Sequence, residues 1–227
     1  LQRAWRRARP FEGVPLRFQL SRDAVARLSV NRHRFPGVDI VASLTRHYPW
    51  GRTGVHALGY VGRLDQRDLE RLDPRAYRAT SHVGKNGIEY AYEDVLHGDP
   101  GVRRVEVNVD GRVLRVLDEE APVPGKDIQL TLDLGLQRYA ERLLGPEDGA
   151  VVALDPRDGA VLALASAPGF DPNLFVNGIG RETYAALRDS PSRPLYNRAI
   201  RGQYPPGSTI KPIIALNGLE RTTQIGR

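Results

Sequence analysis

A serine and a lysine three residues apart, Ser208 and Lys211, stand in the stretch Gln203-Tyr204-Pro205-Pro206-Gly207-Ser208-Thr209-Ile210-Lys211-Pro212. Together these side chains can carry out acyl transfer. A serine hydroxyl is a poor nucleophile at neutral pH and needs a neighbouring group to take its proton. Lysine serves only when neutral, yet an ordinary lysine, with a pKa of about 10.4, is almost wholly charged at pH 7. Burial can lower that value by roughly 3–5 units, and the positive end of a helix favours an alkoxide over an ammonium. The pair therefore demands a helix start in an apolar setting.

The surrounding residues answer that demand. Two prolines and a glycine disfavour an earlier helix start, and Ile210, Ile213, Ile214, Leu216 and Leu219 then recur at helical spacing, nearly all round. That pattern predicts a helix buried inside a domain. Pro212 fits the first turn, whose N–H groups have no intrahelical partners, and residues three apart share one helix face. With eight serines and three lysines in the chain, chance gives about 0.1 occurrences of S-x-x-K. By spacing alone, a capping serine beside an unrelated lysine stays open as the lesser alternative.

Composition narrows the function classes. There is no cysteine, which excludes disulfides and thiolate metal sites. His33, His47, His56, His82 and His97 lack ligand spacing, so neither a metal nor a cofactor is expected. The net charge of +6 comes almost wholly from arginine. No basic patch with interleaved aromatics accompanies it, so no nucleic-acid partner is expected and the charge reads as dispersed and solvated. Residues 1–10, L-Q-R-A-W-R-R-A-R-P, are a basic amphipathic stretch suited to a membrane surface or a helix start. No apolar run approaches a membrane span, so an anchor would have to lie upstream of Leu1. Methionine is absent even from position 1, which points to a fragment or a processed product.

The elements that must position the pair follow from pattern. Residues 14–20 and 38–44 alternate as strands, and Ser21 caps a helix to Val30. His56-Ala57-Leu58-Gly59-Tyr60-Val61-Gly62 is compact and punctuated by glycines that suggest close packing. Helices are predicted over 64–72 and 86–96, the second entered through Gly84-Lys85-Asn86-Gly87 and closed by Gly98. Residues 104–117 read as a hairpin turning at Asp110-Gly111 in type I′ geometry. A proline-rich stretch over 119–125 marks a domain boundary. Beyond it come a strand over 128–132, a helix from its Asp133 cap to Leu144, and strands over 150–154 and 160–165 joined by a Pro156-Arg157-Asp158-Gly159 turn. The last two runs are apolar enough for a sheet buried on both faces. A helix around 181–187 leads to Asn197-Arg198-Ala199 and Ser208.

The segments F-P-G-V, H-A-L-G-Y-V-G, G-K-N-G-I-E-Y-A-Y-E-D-V-L-H-G, D-I-Q-L-T-L-D-L-G-L-Q, D-P-N-L-F-V-N-G-I, P-L-Y-N-R-A and Y-P-P-G-S-T-I-K-P occur in that order. In them the chain resembles the class B penicillin-binding proteins, most closely their elongation-specific branch, essentially from end to end. The resemblance implies an α+β architecture. Residues 1–125 would form a mixed α/β, non-catalytic pedestal of the dimerisation type. Residues 126–227 would be the N-terminal part of a transpeptidase domain of the penicillin-binding and β-lactamase-like kind. It further implies a D,D-transpeptidase acting on D-Ala-D-Ala stem peptides at the periplasmic face of the inner membrane, with Ser208 as acylated nucleophile and Lys211 as its base. β-Lactams would be covalent inhibitors. A SEDS-type glycan polymerase and an MreC-like scaffold would be partners, the pedestal serving as their docking module. A β-lactam-hydrolysing or β-lactam-sensing relative would share S-x-x-K without needing the pedestal segments.

The pattern also has departures. The family's S-x-N and K-T-G do not follow Lys211, so these residues alone are expected to show little activity. Ser29-Val30-Asn31 and Lys85-Asn86-Gly87 are accidental matches that precede the nucleophile.

Overall fold

The computed structural model of the chain describes residues 14–73, 76–77, 80–109 and 113–225. Helices and strands are mixed throughout, an α+β arrangement with three separate two-stranded antiparallel sheets among these residues. Ser21 accepts a hydrogen bond from the Ala24 N–H at 3.2 Å and starts α1 (Arg22–Val30). Asn31 closes the helix, its side chain donating to the Arg27 carbonyl at 2.8 Å. The strands predicted on either side are not formed. Residues 14–20 bend at Phe18 and Gln19, residues 38–44 join no ladder, and Val41 and Leu44 are exposed. Alternation marks which side chains can share a face; a strand also needs a neighbour, and none pairs with these segments among the described residues.

Short elements follow: α2 (Val55–Leu58), β1 (Val61–Arg63), α3 (Gln66–Arg71), β2 (His82–Gly84), α4 (Gly87–Ala91) and α5 (Glu93–Leu96). β1 pairs with β2, Val61 opposite Gly84. Asp65 and Asp68 form a capping box at the start of α3. The helix expected over 86–96 breaks at Tyr92 into α4 and α5. The break separates two buried carboxylates with different partners. Glu89 accepts from Arg46 Nε at 2.6 Å and from the Tyr48 hydroxyl at 3.0 Å, while Glu93 accepts from the Tyr77 hydroxyl at 2.9 Å and the Gly84 N–H at 2.8 Å. Burial and the Glu89 charge push the Tyr48 hydroxyl pKa up, keeping it a donor.

The glycines do what the sequence suggests. A Cβ on Gly59, which sits at φ 79°, would lie 1.9 Å from the Asn86 carbonyl oxygen, so the end of α2 meets the start of α4 through bare backbone. The predicted hairpin is present as β3 (Val102–Val107) and β4 (Val113–Glu120); its Asp110-Gly111 turn lies outside the described residues. Exposed cross-strand pairs, Arg103 with Glu119 at 2.6 Å and Arg104 with Asp118 at 3.5 Å, decorate it. Both are solvent-screened and add little to stability.

The second half comprises α6 (Leu134–Leu144), β5 (Gly149–Leu154), β6 (Val161–Ala167), α7 (Asn173–Val176), α8 (Arg181–Arg188), α9 (Arg198–Arg201), a 3-10 turn at Gly207–Ile210 and α10 (Lys211–Ile225). β5 and β6 pair antiparallel, as predicted. Two expectations fail here. Residues 128–132 are not a strand, because they share with β6 only the bonds near Thr131 and Asp133 and build no ladder. The sheet is buried on one strand only: Ala163 and Ala165 of β6 are fully buried, whereas Val152 and Leu154 of β5 are exposed. The core gathers Val55, Phe170 and Phe175, with Tyr60, Ile179, Leu187 and Leu195 packed around them.

Two outcomes test this packing. Gly59→Ala should cost about 1–3 kcal/mol from its glycine-only backbone conformation alone, read as a lowered urea midpoint; an unchanged midpoint would mean that α2 and α4 do not meet as described. The second concerns His56 and His82, whose pKa values burial holds below the usual histidine value. Below pH about 6.5 the unfolded chain then binds more protons than the folded one, so stability is complete above that pH and declines as pH falls. The thermal midpoint should drop between pH 7 and 5.5, with a shallower drop in His56→Gln; a rise over that window contradicts the assignment.

Candidate acylation site

The platform for Ser208 begins with α6. Asp133 caps it, accepting from the Leu136 N–H at 2.8 Å, as its place before the apolar period predicts. Gln137, 2% exposed, then bonds β6 through both ends of its amide. Its Nε2 donates to the Leu164 carbonyl at 3.0 Å and its Oε1 accepts from the Leu164 N–H at 2.8 Å. The side chain thus satisfies backbone groups on the free edge of β6 as another strand would. Glu141, one turn later, accepts from Gln137 Nε2 at 2.8 Å and from the Gly54 N–H at 2.7 Å, which ties α6 to the start of α2.

The same region of α2 receives the loop after β6. Phe170 stands edge-on to His56 at 5.6 Å and to Tyr60 at 5.9 Å, and Phe175 lies 4.4 Å from Tyr60 between ring centroids. Asn173 closes the contact, its Oδ1 accepting from the Tyr48 N–H and its Nδ2 donating to the Tyr48 carbonyl, both at 3.0 Å. Asn197 caps α9, accepting from the Ile200 N–H at 3.2 Å, and its Nδ2 donates to the His56 carbonyl at 2.9 Å. The segment that leads to Ser208 is therefore bonded directly to the His56-Ala57-Leu58-Gly59 turn.

Ser208 lies in the 3-10 turn and Lys211 is the first residue of α10, its N–H donating to the Ser208 carbonyl. In a 3-10 turn residues i and i+3 eclipse one another, so the two side chains leave the backbone on one side. No hydrogen bond joins them directly among the described residues. Pro212 occupies the first turn of α10, as expected. The expected burial is absent: Ser208 and Lys211 are exposed, and Ile213 and Leu219 are 66% and 67% exposed. Apolar residues all round a helix call for cover on every side, and the described residues provide none.

The accidental motif matches prove structural. Asn31 closes α1, and Lys85 is ion-paired with Asp65 at 3.1 Å and with Asp68, fastening the start of α3. Sequence reading passed over Gln137, Asn173 and Asn197 as supports, because a polar residue that bonds backbone across more than twenty residues leaves no periodic mark. It also named Arg198 only within a motif.

Residues 1–130 match the penicillin-binding protein dimerisation domain and residues 149–224 the penicillin-binding protein transpeptidase domain. Over 217 residues the chain is 49% identical to the peptidoglycan D,D-transpeptidase MrdA of Escherichia coli strain K12, covering 94% of this chain and 34% of that one. It is 46% identical over 212 residues to MrdA of Acinetobacter baumannii, covering 93% and 32%. Pseudomonas aeruginosa PBP2 in complex with WCK 5153 matches with a TM-score of 0.69 at 48% identity, over 80% of this chain and 36% of that one. The complex of PBP2 and MreC from Helicobacter pylori matches with a TM-score of 0.76 at 32% identity, over 88% and 37%. The chain thus spans about one third of the length of the curated relatives it matches. With the dimerisation-domain match covering more than half of its residues and the transpeptidase match enclosing Ser208 and Lys211, the chain belongs to the class B penicillin-binding proteins.

Proposed function

We propose that the protein is a peptidoglycan D,D-transpeptidase of cell elongation, with Ser208 as nucleophile and Lys211 as general base. The observation that carries this reading is the transpeptidase-family match over residues 149–224, a span that includes Ser208 and Lys211. In the reaction, Ser208 Oγ attacks the penultimate D-Ala carbonyl as its proton passes to Lys211 Nζ. The tetrahedral intermediate expels the terminal D-Ala, whose amine takes that proton, leaving an acyl ester on Ser208. An amine of a neighbouring stem peptide then attacks the ester and frees the serine; water in its place gives carboxypeptidase activity. The Ser208 N–H would donate to the oxyanion, a bond worth on the order of 3 kcal/mol. A β-lactam carbonyl would be attacked in the same way.

A second reading is supported by one comparison, the complex of PBP2 with MreC from Helicobacter pylori. In it residues 1–125 act as a pedestal that docks an MreC-like scaffold, the domain boundary falling at residue 125. A SEDS-type glycan polymerase is the further partner of this reading. The location is the periplasmic face of the inner membrane, held by a segment upstream of Leu1. No described helix is long and apolar enough to cross a membrane.

Full-length protein treated with a labelled penicillin should form a stoichiometric adduct on Ser208. Ser208→Ala should form none, and Lys211→Ala should be acylated about 10²- to 10⁴-fold more slowly, the usual contribution of a general base. An adduct on another residue overturns the catalytic reading, and penicillin turnover without a stable adduct favours a hydrolytic relative. Capture of the full-length protein by an MreC-like scaffold should survive Ser208→Ala and be lost when residues 1–125 are removed. Capture by the remaining part alone would refute the pedestal's docking role.

A further inference from the structure

We propose that Arg198 is a positioning residue for Ser208. The proposal rests on the reading of Ser208 as the acylated nucleophile. Arg198 is a cation only 7% exposed, on a helix separated from Ser208 by six residues. Its guanidinium gathers three groups from two places: the Ser192 and Arg193 carbonyls of one turn at 2.6 and 3.3 Å, and Asp148 Oδ2, just before β5, at 3.2 Å. Its own N–H donates to Ser166 Oγ on β6 at 2.9 Å. Arg193 is held at φ 41°, a left-handed conformation that a non-glycine residue keeps only when its surroundings fix it. Through its side chain and its main-chain N–H together, Arg198 thus binds α9 to the β5–β6 hairpin and to a strained turn.

The restraint continues toward Ser208. The Arg198 carbonyl accepts from the Gly202 N–H at 3.0 Å, and the Tyr204 ring lies so close that a Cβ on Gly202 would be 2.4 Å from it. Pro205 and Pro206 have φ fixed by their rings. The Pro206 carbonyl then accepts from the Thr209 N–H at 3.2 Å. A purely charge-balancing role would need only one cation near Asp148. The geometry uses the planar fork: one terminal nitrogen reaches the Arg193 carbonyl while the other reaches the Ser192 carbonyl and Asp148, a rigid spread of donors over two nitrogens that the single nitrogen of an ammonium does not reproduce.

The test uses full-length protein and a labelled penicillin, with acylation resolved into the noncovalent Kd and the acylation rate constant, and thermal midpoints measured alongside. Arg198→Lys should keep its Kd and its fold while the acylation rate constant falls about 10- to 100-fold, as displacements of about an ångström produce. Ser166→Ala, which removes the bond to the Arg198 N–H and leaves the guanidinium in place, should lower the same rate constant; if Arg198→Lys does not fold, this variant decides. Wild-type rate constants per folded molecule overturn the assignment of Arg198, as does a loss carried wholly by Kd. Absence of any Ser208 adduct in the wild type overturns the acyl-transfer reading and this assignment with it.

Discussion

The contact between the Val55–Tyr60 turn and the Phe170–Phe175 loop holds together parts of the chain more than a hundred residues apart. Closing so long a loop costs conformational entropy, though the cost grows only slowly with length. Aromatic pairs of this geometry return about 0.5–1.5 kcal/mol each beyond the area they bury. Polar bonds then fix the register: Asn173 to Tyr48, Glu141 to Gly54 and Asn197 to His56. Each satisfies a backbone group in the turn or in the segment before it, and leaving such a group buried and unpaired costs about 1–3 kcal/mol. Loss of the aromatic cluster would therefore loosen α6, α7 and α9 together. The segment leading to Ser208 inherits its place from this joint.

A different regime governs α10 and β5. Full burial of an isoleucine or leucine is worth about 1.5–3 kcal/mol, and Ile213, Ile214, Leu216 and Leu219 realise little of it among the described residues. The backbone of the site is consequently assembled by local rules, by the left-handed Gly207 and the 3-10 turn, rather than by packing of the helix it opens. β5 tells the same story. Its valines have the composition of a strand covered on both faces, yet Val151 and Val152, which point to opposite faces, are both exposed.

What the sequence made legible were features decided within a few residues. Ser21 and Asp133 cap helices because a short polar side chain reaches an N–H three residues on. The two longer hairpins follow from alternation and turn residues, and Gly59 from the need for bare backbone at a close approach. The illegible features depend on a neighbour distant in sequence. The segments at 14–20, 38–44 and 128–132 have strand-like alternation without a partner, so alternation overcalls them. The helix over 86–96 breaks because Glu89 and Glu93 serve different tyrosines, Tyr48 and Tyr77, which lie far apart along the chain. Ser208 and Lys211 were legible as a pair because three residues of spacing fix their common side. Arg198 was not legible as a support, since its partners come from three separate stretches.

Holding the two side chains of the candidate site together and keeping its lysine neutral are separate physical requirements. In an α-helix, residues i and i+3 are offset by about 60° around the axis, whereas in a 3-10 turn they eclipse. The tighter turn at Gly207–Ile210 is therefore the local device that aligns Ser208 with Lys211, and it needs no burial. A neutral lysine is a separate requirement, because only desolvation or a second cation favours it at pH 7. That must come from whatever covers α10. The chain from His56 through Asn197 and Arg198 to Pro206 reaches Ser208 from the side that precedes the 3-10 turn. On the proposed reading of Ser208 and Lys211, a shift of the α2 turn would move the serine, whereas the dielectric around the lysine would depend on what covers α10.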